Sequence, residues 1–441
     1  MELPFVRLRA RPSAIVGALQ FSPDGRYFAW IECIRQHRNE LVCASLDSGV
    51  EVLRREVRFG FDALAWVGTA QLALLDERRF LSRDPQLLAV VIDVPSGREV
   101  STFALPDGWG ERSLFRLCGA PNAGRYLVGA LEQKSTDGVR CGPGAAWLVD
   151  AERGTLVREF SLRPSLQDDE RHEYRSNWSL SPTGVHVLAN SFAVAKDHLH
   201  AFSCRSPEDD EPETFVSAHW GSVRWLDGDT ARQAPANRLV AQHSTLTLRT
   251  PRALTTETFS SRWWLGVDPL TNEELFLAED GVQVIARSMD QSERTVGSRL
   301  LREHADPAFA VAVVSSRGAT RVLQAHVAKL SAAQRSTLPP ESIGDKQPTH
   351  GVFVSDALTG EEALVHGFDT PKFLDHAGRS SVVMLAVDPS RTMLLVRALR
   401  LEGRGRLALE REHLIVLAVD PLVEALRAPV LQRARKKAEL P

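Results

Sequence analysis

One short phrase returns along this chain about eight times, and nothing else in the sequence restricts its fold as tightly. It is clearest at Phe21-Ser22-Pro23-Asp24-Gly25-Arg26-Tyr27-Phe28-Ala29-Trp30, where an apolar strand enters a tight turn and a second apolar strand leaves it. It recurs at Leu180-Ser181-Pro182-Thr183-Gly184-Val185-His186-Val187-Leu188 and at Ala386-Val387-Asp388-Pro389-Ser390-Arg391-Thr392-Met393-Leu394-Leu395. The turns fall at Gly25, Gly68, Gly124, Gly184, Gly228, Asn272, Gly318 and Arg391. The shorter gaps between them match the roughly 40–45 residues of a four-stranded repeat unit, and the longer gaps read as the same unit with inserted loops.

A second turn follows each phrase, of the type Asp-x-x-Ser/Thr-Gly. It stands at Asp47-Ser48-Gly49, Asp93-Val94-Pro95-Ser96-Gly97, Asp150-Ala151-Glu152-Arg153-Gly154 and Asp356-Ala357-Leu358-Thr359-Gly360. Asp offers a side-chain acceptor to the backbone N–H groups of the turn, and Gly takes the positive φ that closes it. The flanks are continuous apolar runs, such as Leu88-Ala89-Val90-Val91-Ile92 and Ala146-Trp147-Leu148-Val149, which suit strands covered on both faces. Each unit therefore reads as strands a-b-c-d with tight turns in a–b and c–d. Trp30, Trp66, Trp147, Trp178, Trp225 and Trp264 fall on these strands, where packing between sheets accounts for them.

The expected fold is all-β: a single closed β-propeller of four-stranded blades over residues 1–420, with a helical, basic C-terminal tail over 421–441. Eight blades are expected, with seven as the alternative. The last unit offers strands at Val382–Val387, Met393–Ala398 and Leu414–Asp420 and then lacks a fourth. The strand-like segment Pro4–Arg9 is expected to supply it, because an N-terminal strand that completes the last blade removes two open sheet edges. The weakest unit surrounds Gly228, where Thr230–Asn237 reads as irregular.

Alternating strand direction places the a–b and c–d turns on one face and the b–c and d–a connections on the other. Most long insertions are of the second kind: Arg78–Pro85, Glu132–Gly144, Lys329–His350 and Leu399–Arg411, then Pro106–Arg112, Pro164–Arg175 and Arg287–Asp306. Arg205–Thr214 is the acidic exception on the turn face. Long loops on a rigid scaffold are where binding tends to reside.

Composition narrows the partners. With 53 Lys+Arg against 56 Asp+Glu, the formal net charge of −3 argues against broad attraction to nucleic acid or anionic lipid. Residues 1–9 alternate apolar and polar residues, without the apolar segment and cleavage site of a secretory signal. Apolar runs such as Leu414–Val419 are far short of the roughly 20 residues of a membrane span. Five cysteines, Cys33, Cys43, Cys118, Cys141 and Cys204, show no CxxC spacing and fit a reducing cytoplasm. The preference for Arg over Lys matches the coding bias of a GC-rich bacterium.

The Ser-Pro-Asp-Gly turn between apolar strands, followed by the Asp-x-x-Ser/Thr-Gly turn, resembles the WD40-type and WD40-like propellers of bacteria. The Gly-His and Trp-Asp dipeptides of strict WD40 repeats are absent. The resemblance is structural and implies no catalytic residues. The tail from Pro421 looks like the short helical coda that follows such propellers in bacterial signalling and conflict-system proteins.

Searches for chemistry find little. There is no GxSxG nucleophile elbow, no Walker A or dinucleotide fingerprint, and no HExxH. His198 and His200 would share one side of a strand, with Asp197 or His219 nearby, but ordinary polar strand positions explain them better than a metal site. The acidic runs Asp168-Asp169-Glu170 and Glu208-Asp209-Asp210-Glu211 lack the spacing of a calcium loop. No catalytic, cofactor-binding or metal-ligating residue is expected. Candidate interaction residues are Trp220, Arg262 and Trp263, where aromatic and guanidinium groups stand near strand entrances, and the basic Arg433, Arg435, Lys436 and Lys437 of the tail. The expectation is a non-catalytic protein-interaction scaffold in a bacterial multiprotein assembly, binding through the loop-rich face. The alternatives are a lactonase- or lyase-like enzyme with a metal on the axis, and a ligand- or effector-sensing module.

Overall fold

Each recurring phrase folds into a β-hairpin because a side chain at its start accepts the backbone of its far side. Ser22 Oγ accepts the Tyr27 N–H at 2.9 Å, Ser181 Oγ accepts the His186 N–H at 3.0 Å, and Asp388 Oδ1 accepts the Met393 N–H at 2.7 Å. Gly25, Gly184 and Arg391 close these turns in left-handed conformation, with φ of 70°, 67° and 59°. The second turns behave as their sequence dictates. Asp93, Asp150 and Asp356 accept backbone N–H bonds within the turn, and Gly97, Gly154 and Gly360 take φ of 67°, 64° and 70°.

The structure is a computed structural model that describes residues 5–8, 15–34, 38–57, 64–78, 86–106, 114–132, 145–161, 175–193, 196–204, 213–217, 221–225, 230–235, 242–247, 253–258, 263–278, 283–288, 292–298, 311–335, 350–368, 381–388, 391–402 and 409–426. The chain separates into two compact units. One comprises residues 1–16, 45–50 and 262–441, and the other residues 17–44 and 51–261.

A short first strand, β1 (Phe5–Leu8), belongs to the first of these units. The second unit begins with a sheet of β2 (Ile15–Phe21), β3 (Tyr27–Ile34), β4 (Arg38–Ser45) and β5 (Glu51–Val57). Next come β6 (Leu64–Trp66), β7 (Gln71–Arg78), β8 (Gln86–Asp93) and β9 (Arg98–Ala104). A third sheet holds β10 (Leu114–Ala120), β11 (Arg125–Glu132), β12 (Ala145–Asp150) and β13 (Thr155–Ser161). A fourth holds β14 (Arg175–Leu180), β15 (His186–Ala193), β16 (Lys196–Ser203) and β17 (Glu213–Ser217). The fifth holds β18 (Gly221–Trp225), β19 (Thr230–Pro235), β20 (Gln242–Thr247) and β21 (Ala253–Thr258).

The unit that contains β1 adds three more sheets. The first has β22 (Trp263–Val267), β23 (Glu274–Leu277), β24 (Gln283–Arg287) and β25 (Glu293–Ser298). The second has β26 (Val311–Ser316), β27 (Ala319–Lys329), β28 (His350–Asp356) and β29 (Glu362–Phe368), with the single turn α1 (Ala332–Arg335) after β27. In the third, β30 (Ser381–Val387), β31 (Met393–Glu402) and β32 (Leu409–Ala418) are joined by β1, which pairs antiparallel with β32 from Phe5↔Leu417 to Leu8↔Leu414. The chain then forms α2 (Val419–Ala425). Among the described residues every sheet is antiparallel, with four strands in sequence order apart from β1.

Apolar clusters lie between consecutive sheets inside each unit. One joins the β6–β9 and β10–β13 sheets through Ala73, Val91, Tyr126 and Trp147, and another joins the β26–β29 sheet to β31, β32 and α2. Burying a Leu, Val or Phe side chain fully stabilises by about 1.5–3 kcal/mol, and such residues line both faces of the central strands. Trp30, Trp66, Trp147 and Trp178 are buried as expected, and Trp225 is half-buried with its indole donating to Ser179 Oγ at 2.8 Å. Cys43 is buried and Cys33, Cys118 and Cys204 are half-buried, and none of the four is in a disulfide.

Four boundaries differ from the sequence reading. The expected loop Leu399–Arg411 is largely ladder, since β31 and β32 pair from Met393↔Ala418 out to Glu402↔Leu409. On the β31 side charged residues alternate with apolar ones, as in Leu399-Arg400-Leu401-Glu402, and period-two alternation holds a strand even when half its side chains are charged. Thr230–Pro235 is a strand, paired with β18 and β20. The segment Arg287–Asp306 contains β25, the fourth strand of its sheet. The terminal helix begins at Val419, two positions before the expected Pro421.

That helix docks. Val419, Leu422 and Leu426 are buried in the cluster that includes Ala363, Val365 and Leu417. Ser316 Oγ donates to Asp420 at 2.6 Å, and Arg317 pairs with Glu424, so the β26–β27 turn clasps the helix.

Candidate interaction surface

The fourth strand of a sheet has a neighbour on one side only, and among the described residues that strand carries a β-bulge in five sheets. Cys43 pairs with Leu53 and Ala44 with Glu51, which leaves Val52 without an opposite residue. Val91 pairs with Ser101 and Ile92 with Glu99, leaving Val100. Leu148 pairs with Arg158 and Val149 with Leu156, leaving Val157. The same skip leaves Val296 in β25 and Val365 in β29. An extra residue bends and twists its strand, and edge bulges hinder pairing with a foreign strand. The bulged residue is valine each time.

Exposure separates these valines. Val52, Val100 and Val157 are 37%, 37% and 42% exposed, and Leu156 beside the last is 46% exposed, whereas Val365 is buried and Val296 half-buried. Val52, Val100 and Val157 each stand three residues after the glycine of a c–d turn: Gly49, Gly97 and Gly154. The signal was present as Gly-x-x-Val, but exposure is a property of packing and the spacing alone does not announce it.

Neighbouring outer strands interlock. A Cβ on Gly97 would lie 3.5 Å from Leu53 Cδ1, and one on Gly154 would lie 2.5 Å from the Thr102 carbonyl oxygen. Ser101 Oγ donates to the Ala151 carbonyl, and Arg55 joins β5 to the next sheet through Asp76 at 3.2 Å and Glu99 at 2.8 Å. Gly154 therefore serves two needs, a left-handed φ and close approach to a backbone.

Beneath β5, Arg54 gathers three carboxylates: Glu32 at 3.0 Å, Glu40 at 2.8 Å and Glu51 at 2.7 Å. Glu32 is fully buried and also accepts the Trp30 indole N–H at 3.1 Å. Hydrogen bonds donated to Glu51 outweigh partial desolvation and hold the Arg54 guanidinium above its ordinary pKa, so it stays charged throughout. These carboxylates are engaged in fixing strands to one another. In the other unit, buried His326 stands 3.7 Å from Glu362 and stacks on Phe353. Among the described residues no three His, Cys, Asp or Glu side chains come together as metal ligands would. No helix among them is long and apolar enough to cross a membrane.

Of the residues singled out from sequence, Trp220, Arg262, Arg433, Arg435, Lys436 and Lys437 lie outside the described residues. Trp263 opens β22 opposite Leu277. His198 and His200 lie on β16, opposite Ser191 and Ala189.

The chain is similar in structure to WD40 and other β-propeller domains. The WD40 domain of SCAP from fission yeast matches with a TM-score of 0.47 and 10% identity, over 95% of this chain and 99% of that one. The Swd1 β-propeller domain of Myceliophteria thermophila matches with a TM-score of 0.42 and 12% identity, over 94% and 100%. A prolyl endopeptidase matches with a TM-score of 0.43 and 12% identity, over 88% of this chain and 55% of that one. No family model and no curated protein matches the sequence.

Proposed function

We propose that the chain is a non-catalytic protein-interaction scaffold, a recognition subunit of a bacterial multiprotein assembly in a reducing cytoplasm. In this reading residues 1–420 form one closed β-propeller of eight blades. The pairing of β1 with β32 supports closure by the N-terminal strand, and the tail from 421 is an adjunct to the propeller. The observation that carries the binding role is the row of exposed bulge valines on interlocked outer strands. Apolar side chains held out by a rigid ladder favour contact with another macromolecule. The loop-rich face is the second surface of the same reading.

The test is made on the purified full chain. Metal analysis and a panel of lactonase, lyase and hydrolase substrates are expected to give neither stoichiometric metal nor turnover. Stoichiometric metal together with turnover would replace the scaffold with an enzyme. Short linkers in place of 133–144 and 336–349, set against Val→Glu changes at the outer strands, then apportion partner binding between the two surfaces.

A further inference from the structure

Val52, Val100 and Val157 hold one structural position in three consecutive sheets, and we infer that this stripe seats an amphipathic helix of a partner protein. The inference rests on the scaffold reading and adds the chemistry of the partner. Continuity comes first. The outer strands touch through Gly97 against Leu53 and Gly154 against Thr102, so the three valines belong to one rim.

The bulges decide the shape of the occupant. Strand addition needs an uninterrupted row of backbone donors and acceptors, and here the ladder is broken at the exposed residue itself. A helix satisfies its own backbone and needs only apolar knobs at i, i+3, i+4 and i+7. The chain also displays the arrangement internally. The skipped residue of β29, Val365, is the counterpart of the three valines, and it is buried in a cluster with Val419, Leu422 and Leu426 of α2, which packs on β29. A short apolar helix covers that position there. Charge points the same way: β5, β9 and β13 together carry four glutamates and four arginines, so the stripe selects for apolar surface rather than for a polyanion or polycation.

The probes are two display libraries screened against the full chain. One contains 16-residue helix-forming peptides with Leu or Val on one face, and the other extended peptides with alternating apolar residues. Enrichment of helical peptides is expected, with binding weakened about tenfold or more by Val100→Glu with Val157→Glu, and unchanged by Leu270→Glu at an exposed apolar site elsewhere. Circular dichroism confirms that each variant is folded, and Leu156→Glu alone serves if the double variant is not. Stronger enrichment of extended peptides, or helical binders indifferent to these changes, overturns the helix seat and leaves the scaffold reading standing. The scaffold reading itself falls on the metal and turnover measurements.

Discussion

Val365 and Val100 are each the residue skipped by a bulge in the fourth strand of a sheet, yet Val365 is 3% exposed and Val100 37% exposed. Both are left out of the ladder by the same kind of skip, so the difference lies in what packs above. α2 lies against β29 in one cluster with Val365, while among the described residues no helix covers Val100.

Removing the cover should be costly. Leu422 is fully buried, and Leu422→Ala is expected to destabilise by about 2–5 kcal/mol through lost burial and the cavity left behind. Chemical denaturation measures the loss. Hydrogen exchange should localise increased opening to β29 and the β26–β27 turn.

Gly129 admits no side chain. A Cβ there would stand 2.6 Å from Trp178, whose indole also donates to the Ala130 carbonyl at 3.0 Å. Gly129→Ala should lower stability by about 1–3 kcal/mol, because the tryptophan is locked from two sides. Gly297→Ala meets only the end of Leu358 at 3.2 Å and should change stability far less. Paired melting curves separate the two.

Arg54→Ala would take the Arg54 counter-charge from Glu32, a carboxylate with no exposed surface that keeps its hydrogen bond from Trp30. Breaking a buried ion pair from one side costs about 3–5 kcal/mol, and the partial exposure of Arg54 places this variant near the lower figure. Arg54→Ala with Glu32→Gln should recover part of the loss in a double-mutant cycle. Absence of coupling would remove Arg54 from its structural role.

The Cys204 thiol is pushed up to about 11 by burial, against the opposing charges of Arg158 and Arg125. Its folded-state pKa exceeds the ordinary value of 9.0, so the unfolded thiol ionises first. Stability from this group is intact below pH 9 and declines as pH rises toward 11. Alkylation by iodoacetamide, read by peptide mass spectrometry, should be slow at pH 8 and rise about tenfold per pH unit above it.

Much of the local architecture was legible. Ser22, Ser181 and Asp388 marked the first turns and Asp93, Asp150 and Asp356 the second, because each turn is closed by atoms within a few residues. Pairing of Phe5–Leu8 with β32 was also foreseeable, since a sheet lacking its fourth strand and an unassigned strand elsewhere complete each other. Less legible were the long β31–β32 ladder, masked by its charged residues, and the candidate surface. Arg54 meets Glu32 across 22 positions and Glu40 across 14, and no local spacing encodes that meeting.

By itself the sequence determined the repeat, the turn chemistry and the strand directions, because these depend on interactions between near neighbours in the chain. Tertiary structure decided which of the recurring valines is buried and which is exposed. Gly-x-x-Val is the same phrase at Val52, Val100 and Val157, but exposure depends on what another part of the chain places above it, as α2 does over β29. The phrase that began as a marker of turns thus locates, three residues past each second glycine, the apolar row on which the binding proposal rests.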